Sequence, residues 1–151
     1  VGVLKALIES YGVQGLFTEF NDLLRRIQQT YDRRSDTPSW EVLQPALESD
    51  VLVLDDLGAT RTTPWVRDTV GLIVNERYNA QRLTLITANR SPHPDEADQD
   101  ESLADRVGER LVSRIAEMCW TVRMEGDDFR RHHRSADHRG LGPWSGHRQR
   151  S

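Results

Sequence analysis

The sequence predicts an α/β domain built on a mainly parallel sheet, and three observations carry that prediction. Short apolar runs alternate with longer segments of helical spacing along most of the 151 residues. The clearest run, Val51-Leu52-Val53-Leu54, is apolar throughout, as expected of a strand buried on both faces of a parallel sheet. A second run of the same kind, LTLIT at 83–87, follows after one long helical segment, and strands separated by helices make this fold class.

The elements follow in order. Residues 1–11 place Val3-Leu4 and Leu7-Ile8 on one face of a helix that ends near Gly12. QGLFT at 14–18 is short, apolar and bounded by glycine, a strand. Residues 19–32 repeat apolar side chains at Phe20, Leu23, Leu24 and Ile27, which is helical spacing. A polar loop at 33–39 leads to a short helix at 40–47, weakened by Pro45. After the strand at 51–54, Pro64 stands where a first helical turn tolerates it. That helix runs to about Ala80, with Val66, Val70, Ile73, Val74 and Arg77 down one side. Beyond the strand at 83–87 comes a proline-rich acidic loop at 91–100. A single amphipathic helix is expected over 101–118, with Leu103, Val107, Leu111 and Ile115 spaced four apart, then a last strand at 120–124.

The length leaves room for one domain with one core. The net charge of −4 hides an asymmetry: from Arg131 onward five arginines stand against one aspartate, a local +4 that leaves the rest near −8. An acidic body argues against an all-over nucleic-acid surface. One cysteine, Cys119, builds neither a disulfide framework nor a cysteine zinc site, so a reducing compartment is expected. With no bilayer-length apolar run and no secretory signal, the chain reads as soluble and cytoplasmic. Val1 opens directly into a helical pattern, with no cap and no initiating methionine, as in a chain cut from something longer. Residues 132–151 read as a solvated, disordered basic tail, which also carries His132-His133, a weak metal candidate.

In parallel sheets ligands sit at the carboxyl ends of strands. The best strand ends there in Asp55-Asp56, then Leu57-Gly58. Two carboxylates directly after four buried apolar residues are costly unless a partner or metal uses them. A magnesium ion with bound phosphates would satisfy one, and the other could orient or deprotonate an attacking water. An acidic turn, or the acidic pair of a phospho-receiver domain, leaves the same trace. The next strand ends in Thr87-Ala88-Asn89, whose amide could hold the nucleophilic water. Arg114 and Arg130 carry permanent charges on planar donor forks suited to phosphate oxygens. On spacing alone Arg110 and Arg114 more often read as solvated partners of Glu109 and Glu117.

Taken together, VLVLDDLGA, IVNERYNAQRLTLITANRS, ESLADRVGERLVSRI and GDDFR resemble the DnaC helicase-loader and IstB transposition-helper family of AAA+ P-loop ATPases, in order and spacing, over about residues 1–130. The resemblance implies a three-layer αβα P-loop fold that binds ATP and magnesium in a homo-oligomer acting on DNA, with a replicative helicase or a transposase as partner. It implies that Asp55 is the magnesium-associated Walker B aspartate and Asp56 its catalytic neighbour. Asn89 becomes sensor 1, Arg114 the finger that reaches a neighbouring subunit's nucleotide, and Arg130 sensor 2. Gly58 and the Glu76-Arg77-Tyr78 run fit the family pattern as structural features.

One departure is decisive: the Walker A loop, G-x-x-x-x-G-K-[ST], occurs nowhere in the 151 residues, and Lys5, the only lysine, lies inside the first helix. The strand that leads into that loop, central in the family's sheet, is missing too. It would lie between the strands at 83–87 and 120–124, which are left with no hydrogen-bonding neighbour between them. The expectation is a core at 1–131 that is weakly stable and binds ATP poorly by itself, though competent in an intact protein. The alternative is a non-catalytic protein-interaction domain derived from such an ATPase. A receiver domain is disfavoured because its acidic pair follows the first strand and its lysine comes late. For DNA, the candidates are Arg25-Arg26 and Arg33-Arg34 with Tyr31 between, the loop from Arg61 to Arg67 with Trp65, and the arginine-rich tail.

Overall fold

The computed structural model describes residues 1–31, 38–93 and 101–124. Three parallel strands, β1 (Gly15–Glu19), β2 (Val51–Asp55) and β3 (Leu83–Ile86), form one sheet in the order β1-β2-β3. Six helices surround them: α1 (Gly2–Tyr11), α2 (Phe20–Gln29), α3 (Ser39–Glu48), α4 (Pro64–Asn79), α5 (Leu103–Val107) and α6 (Glu109–Met118). The register pairs Leu16 with Leu52 and Leu52 with Thr84, and Phe17 with Val53 and Val53 with Leu85. Because side chains alternate across a strand, these two rows face opposite sides of the sheet.

The two sides are covered unequally. Leu52 and Leu54 face the main core, with Phe20, Leu23, Leu24 and Ile27 of α2, four apolar residues of α4 and Leu103, Val107, Leu111 and Val112 of α5 and α6. The other side, with Val51 and Val53, is met by Leu4 and Leu7 of α1 together with Val13 and Leu85. The result is the expected three-layer αβα arrangement, with β2 buried at all four of its apolar positions. No helix among the described residues is long and apolar enough to cross a membrane.

α4 starts as its sequence dictates. Thr63 accepts a bond from the Val66 amide, and Pro64 fills a first-turn position where no intrahelical donor is needed. Val66, Val70, Ile73, Val74 and Arg77 are all buried, so the apolar stripe includes an arginine. Arg77 is fully buried and faces no carboxylate within salt-bridge distance among the described residues; its partners are neutral oxygens. Nε donates to Thr84 Oγ1 at 2.9 Å, Nη1 to Ala46 O and Ser49 O at 2.9 Å each, and Nη2 to Leu83 O at 2.7 Å. Arg82 also donates to Leu47 O. The last carbonyls of a helix have no intrahelical donors, and here two arginines supply them for α3. Burial, and the nearby charge of Arg82, push the Arg77 pKa down to about 10, which still leaves it charged at neutral pH.

Two expectations are corrected. The helix expected over 101–118 is two, α5 and α6, broken at Gly108, whose φ of 95° ends one and starts the other. A capping box starts α5: Ser102 and Asp105 exchange side-chain and backbone bonds, which holds the Asp105 carboxyl below its usual range. Residues 120–124, expected as a last strand, form none. Among the described residues the sheet ends at β3, and an extended segment becomes a strand only where it finds a ladder to join. The chain divides into a compact unit, Val1–Thr121, and a second, Val122–Ser151. Arg130, Arg33-Arg34, His132-His133 and the basic tail at 132–151 lie outside the described residues.

Candidate functional site

Three parallel strands run the same way, so their carboxyl ends share one edge of the sheet. Glu19, Asp55 and Thr87 lie there: Glu19 and Asp55 are register partners, and Thr87 directly follows β3. Glu19 turns the chain into α2 by accepting a bond from the Asn21 amide at 3.1 Å. Asn21 Oδ1 in turn accepts from Thr60 Oγ1 at 2.9 Å, which draws the loop after β2 across the end of β1.

Thr87 organises the acidic pair. Its hydroxyl donates to Asp55 Oδ1 at 2.6 Å and accepts from the Asp56 amide at 2.9 Å. Its own amide donates to Leu54 O at 3.1 Å, and its carbonyl accepts from the Leu57 amide at 2.8 Å. Asp56 holds φ at 61°, left-handed backbone that aspartate adopts more readily than most residues. Leu57 is buried in the main core beneath the turn. Gly58 also has positive φ, 81°, and a Cβ there would come within 2.6 Å of Leu103 Cδ1. Strain and overpacking therefore act together, and Gly58→Ala is expected to cost about 1–3 kcal/mol. A chemical melt of that variant matching the parent would refute this reading of the turn.

The acidic pair fits a magnesium ion shared with phosphates. Among the described residues Asp55 Oδ2 and the Asp56 carboxylate have no hydrogen-bond partner, so hard oxygen donors remain free at the strand end. No group of three or more His, Cys, Asp or Glu side chains among the described residues could hold a metal unaided. Magnesium characteristically takes one or two carboxylates and completes its shell with water and substrate phosphates.

Asn89 is exposed two residues beyond Thr87, on the same strand end. Arg114 is not part of this cluster. It sits on α6, its Nη1 2.5 Å from Glu117 Oε2 and its guanidinium 4.8 Å from the centre of the Tyr78 ring. Tyr78 donates its hydroxyl to Glu117 Oε1 at 2.7 Å, and that bond raises the phenol's pKa. The local Arg114–Glu117 pairing read from spacing is present, whereas Glu109 lies near His93. Two nucleic-acid candidates that are separate in sequence meet in space: the Tyr31 and Trp65 rings pack edge to face at 6.2 Å. In the same region Arg25 pairs with Asp22 and Arg61 with Glu101, which spends part of the expected positive charge. Sequence reasoning passed over Thr87 as a ligand-orienting residue. Its only trace was a hydroxyl at the end of an apolar run, one strand away from an acidic pair.

The family model of the IstB-like ATP binding protein matches residues 5–137. The replicative helicase loader DnaI of Bacillus subtilis (strain 168) is 36% identical over 97 residues, covering 61% of this chain and 31% of that protein. The crystal structure of the DnaC helicase loader aligns with a TM-score of 0.62 at 40% identity, over 76% of this chain and 63% of that one. AMPPCP-bound DnaA from Aquifex aeolicus aligns with a TM-score of 0.58 at 18% identity, over 74% of this chain and 32% of that one, a likeness of fold. The chain thus spans about a third of the curated relative it matches.

Proposed function

This chain belongs to the IstB-like ATP-binding protein family, and from that premise we propose that it supplies the acidic and sensor side of an AAA+ ATP-hydrolysing site whose work is to load a helicase onto DNA. The observation that carries the proposal is the Thr87 hydroxyl bridging Asp55 and the Asp56 amide at the carboxyl edge of the sheet. Asp55 would hold magnesium through its free oxygen, and that ion, when bound, would offset phosphate charge. Asp56 accepts the proton of, or orients, the attacking water, and Asn89 steadies that water from the next strand. Arg114 acts from a neighbouring subunit of a homo-oligomer on the transferring phosphoryl group, and Arg130 acts as sensor 2.

The phosphate cradle itself, with its lysine, is not among the 151 residues. A protein that carries these residues behind a Walker A loop is therefore expected to hydrolyse ATP, while the 151 residues alone show no saturable binding of Mg-ATP by calorimetry. Tight binding by the short chain would show that the missing loop is dispensable. Hydrolysis unaffected by loss of the acidic pair would remove the site assignment altogether. The partner is proposed as a replicative helicase, because two relatives, at 36% and 40% identity, are helicase loaders. The same family also covers helpers that work with a transposase, and binding assays against each partner distinguish the two. For DNA, the joined Tyr31 and Trp65 rings offer bases a stacking surface.

A further inference from the structure

We propose that Tyr78 and Glu117 are positioning residues that hold the Arg114 guanidinium in a fixed orientation for delivery to a neighbouring subunit. The inference rests on the reading of Arg114 as the finger of the proposed ATPase. It adds two residues that this reading leaves without a task.

The geometry is a closed triangle across two helices. Tyr78 lies near the end of α4, and Arg114 and Glu117 lie one turn apart on α6. Glu117 accepts from Arg114 Nη1 through one carboxylate oxygen and from the Tyr78 hydroxyl through the other, at 2.7 Å. The Tyr78 ring lies under the guanidinium, 4.8 Å away. Two of the three contacts cross from α4 to α6, so the arrangement depends on the helices being packed, and α6 packs on α4 through the main core.

The contacts leave Arg114 usable. A guanidinium has five N–H donors in a rigid fork and two faces. Here one Nη1 bond goes to Glu117 and one face goes to Tyr78. Its Nε and Nη2 edge has no carboxylate partner among the described residues, and the side chain stays 38% exposed. That edge is the one that can take two oxygens of a phosphate side by side. A long exposed arginine otherwise spreads over many rotamers and must lose that freedom when it acts. Holding it in advance reduces this loss, which is how preorganised groups raise a chemical rate. Glu117 alone, three residues away on the same helix, would tether the charge without fixing the plane. The ring beneath supplies the plane.

The test is steady-state ATP hydrolysis by the assembled, Walker A-bearing protein, comparing the parent with Arg114→Ala, Tyr78→Ala, Tyr78→Phe and Glu117→Gln. Each variant is first checked for an unchanged circular dichroism spectrum. Tyr78→Ala is expected to lower kcat about tenfold with KM little changed, because in this proposal the residue acts through Arg114 rather than on the nucleotide. Tyr78→Phe keeps the ring and should recover most of the rate. Glu117→Gln should fall between, because a neutral amide holds the guanidinium less firmly. If Arg114→Ala abolishes turnover while Tyr78→Ala leaves it at the parent rate, the finger stands and the positioning proposal is overturned. If Arg114→Ala itself turns over like the parent, the finger reading fails and the proposal falls with it.

Discussion

Replacing Arg77 by methionine is expected to lower the unfolding free energy by about 3 kcal/mol or more, the largest stability change in the molecule. The substitution keeps the length and apolar stem of the side chain but removes every donor. The carbonyls of Ala46 and Ser49 are then left in a site where Arg77 had no exposure to water, and that of Leu83 loses one of its donors. Each buried acceptor without a partner costs about 1–3 kcal/mol. Against this stands the relief of no longer burying a charge that has no carboxylate beside it, which recovers part of the cost. The balance favours loss, because three elements depend on the one fork: the end of α3, the end of α4 and the start of β3. Domains of this kind have about 5–15 kcal/mol in total, so the variant should sit near the edge of folding. Arg77→Lys should fall between, since an ammonium carries the charge but cannot point donors along three fixed directions. Urea unfolding checks both: the midpoint should fall while the slope stays constant. An unchanged midpoint for Arg77→Met would mean the carbonyls find other donors.

The largest kinetic effect is expected at Asp56. In the Walker A-bearing protein, Asp56→Asn should reduce kcat by about a hundredfold or more, with nucleotide affinity nearly intact. The amide is nearly the same size as the carboxylate, and asparagine also tolerates the left-handed backbone that Asp56 adopts at φ 61°. The bond from residue 56 to Thr87 is made by the main chain, so it survives the substitution. What disappears is the basic oxygen proposed to take a proton from water. Single-turnover hydrolysis beside nucleotide binding separates the two quantities. A variant that binds and hydrolyses like its parent would exclude Asp56 from proton transfer and move the role to another acceptor.

How far the sequence could be read follows from which forces are local. The strands β1, β2 and β3 and the buried stripe of α4 were legible because burial imposes its own period on the residues that undergo it. Even Arg77 fell on the right face. Its partners did not show, since most of them are backbone carbonyls and carry no residue identity. The break at Gly108 was hidden because Leu103, Val107, Leu111 and Ile115 keep their spacing across it. The glycine and the Ser102–Asp105 pair were the visible signs. Trp120, Val122 and Met124 alternate as a strand would, but pairing needs a neighbour, and alternation says nothing about one. Asp55, Asp56 and Asn89 are proposed for the site from their place after apolar runs. Thr87 was counted only as a residue that suits strands, because the meaning of its hydroxyl depends on a main-chain turn more than thirty positions away.

The bond from Thr87 to Asp55 also divides the labour among its neighbours. A hydroxyl has one proton to give, and here it is given to a carboxylate at 2.6 Å. One of its two acceptor positions is taken by the Asp56 amide. Thr87 therefore has no proton left for a phosphate oxygen or a reacting water placed beside it. Its bonds form a one-way chain of polarity, from amide to hydroxyl to carboxylate, that ends in negative charge. In the proposed site, a side-chain donor facing a phosphate from this strand end would therefore come from Asn89 or its neighbours rather than from Thr87.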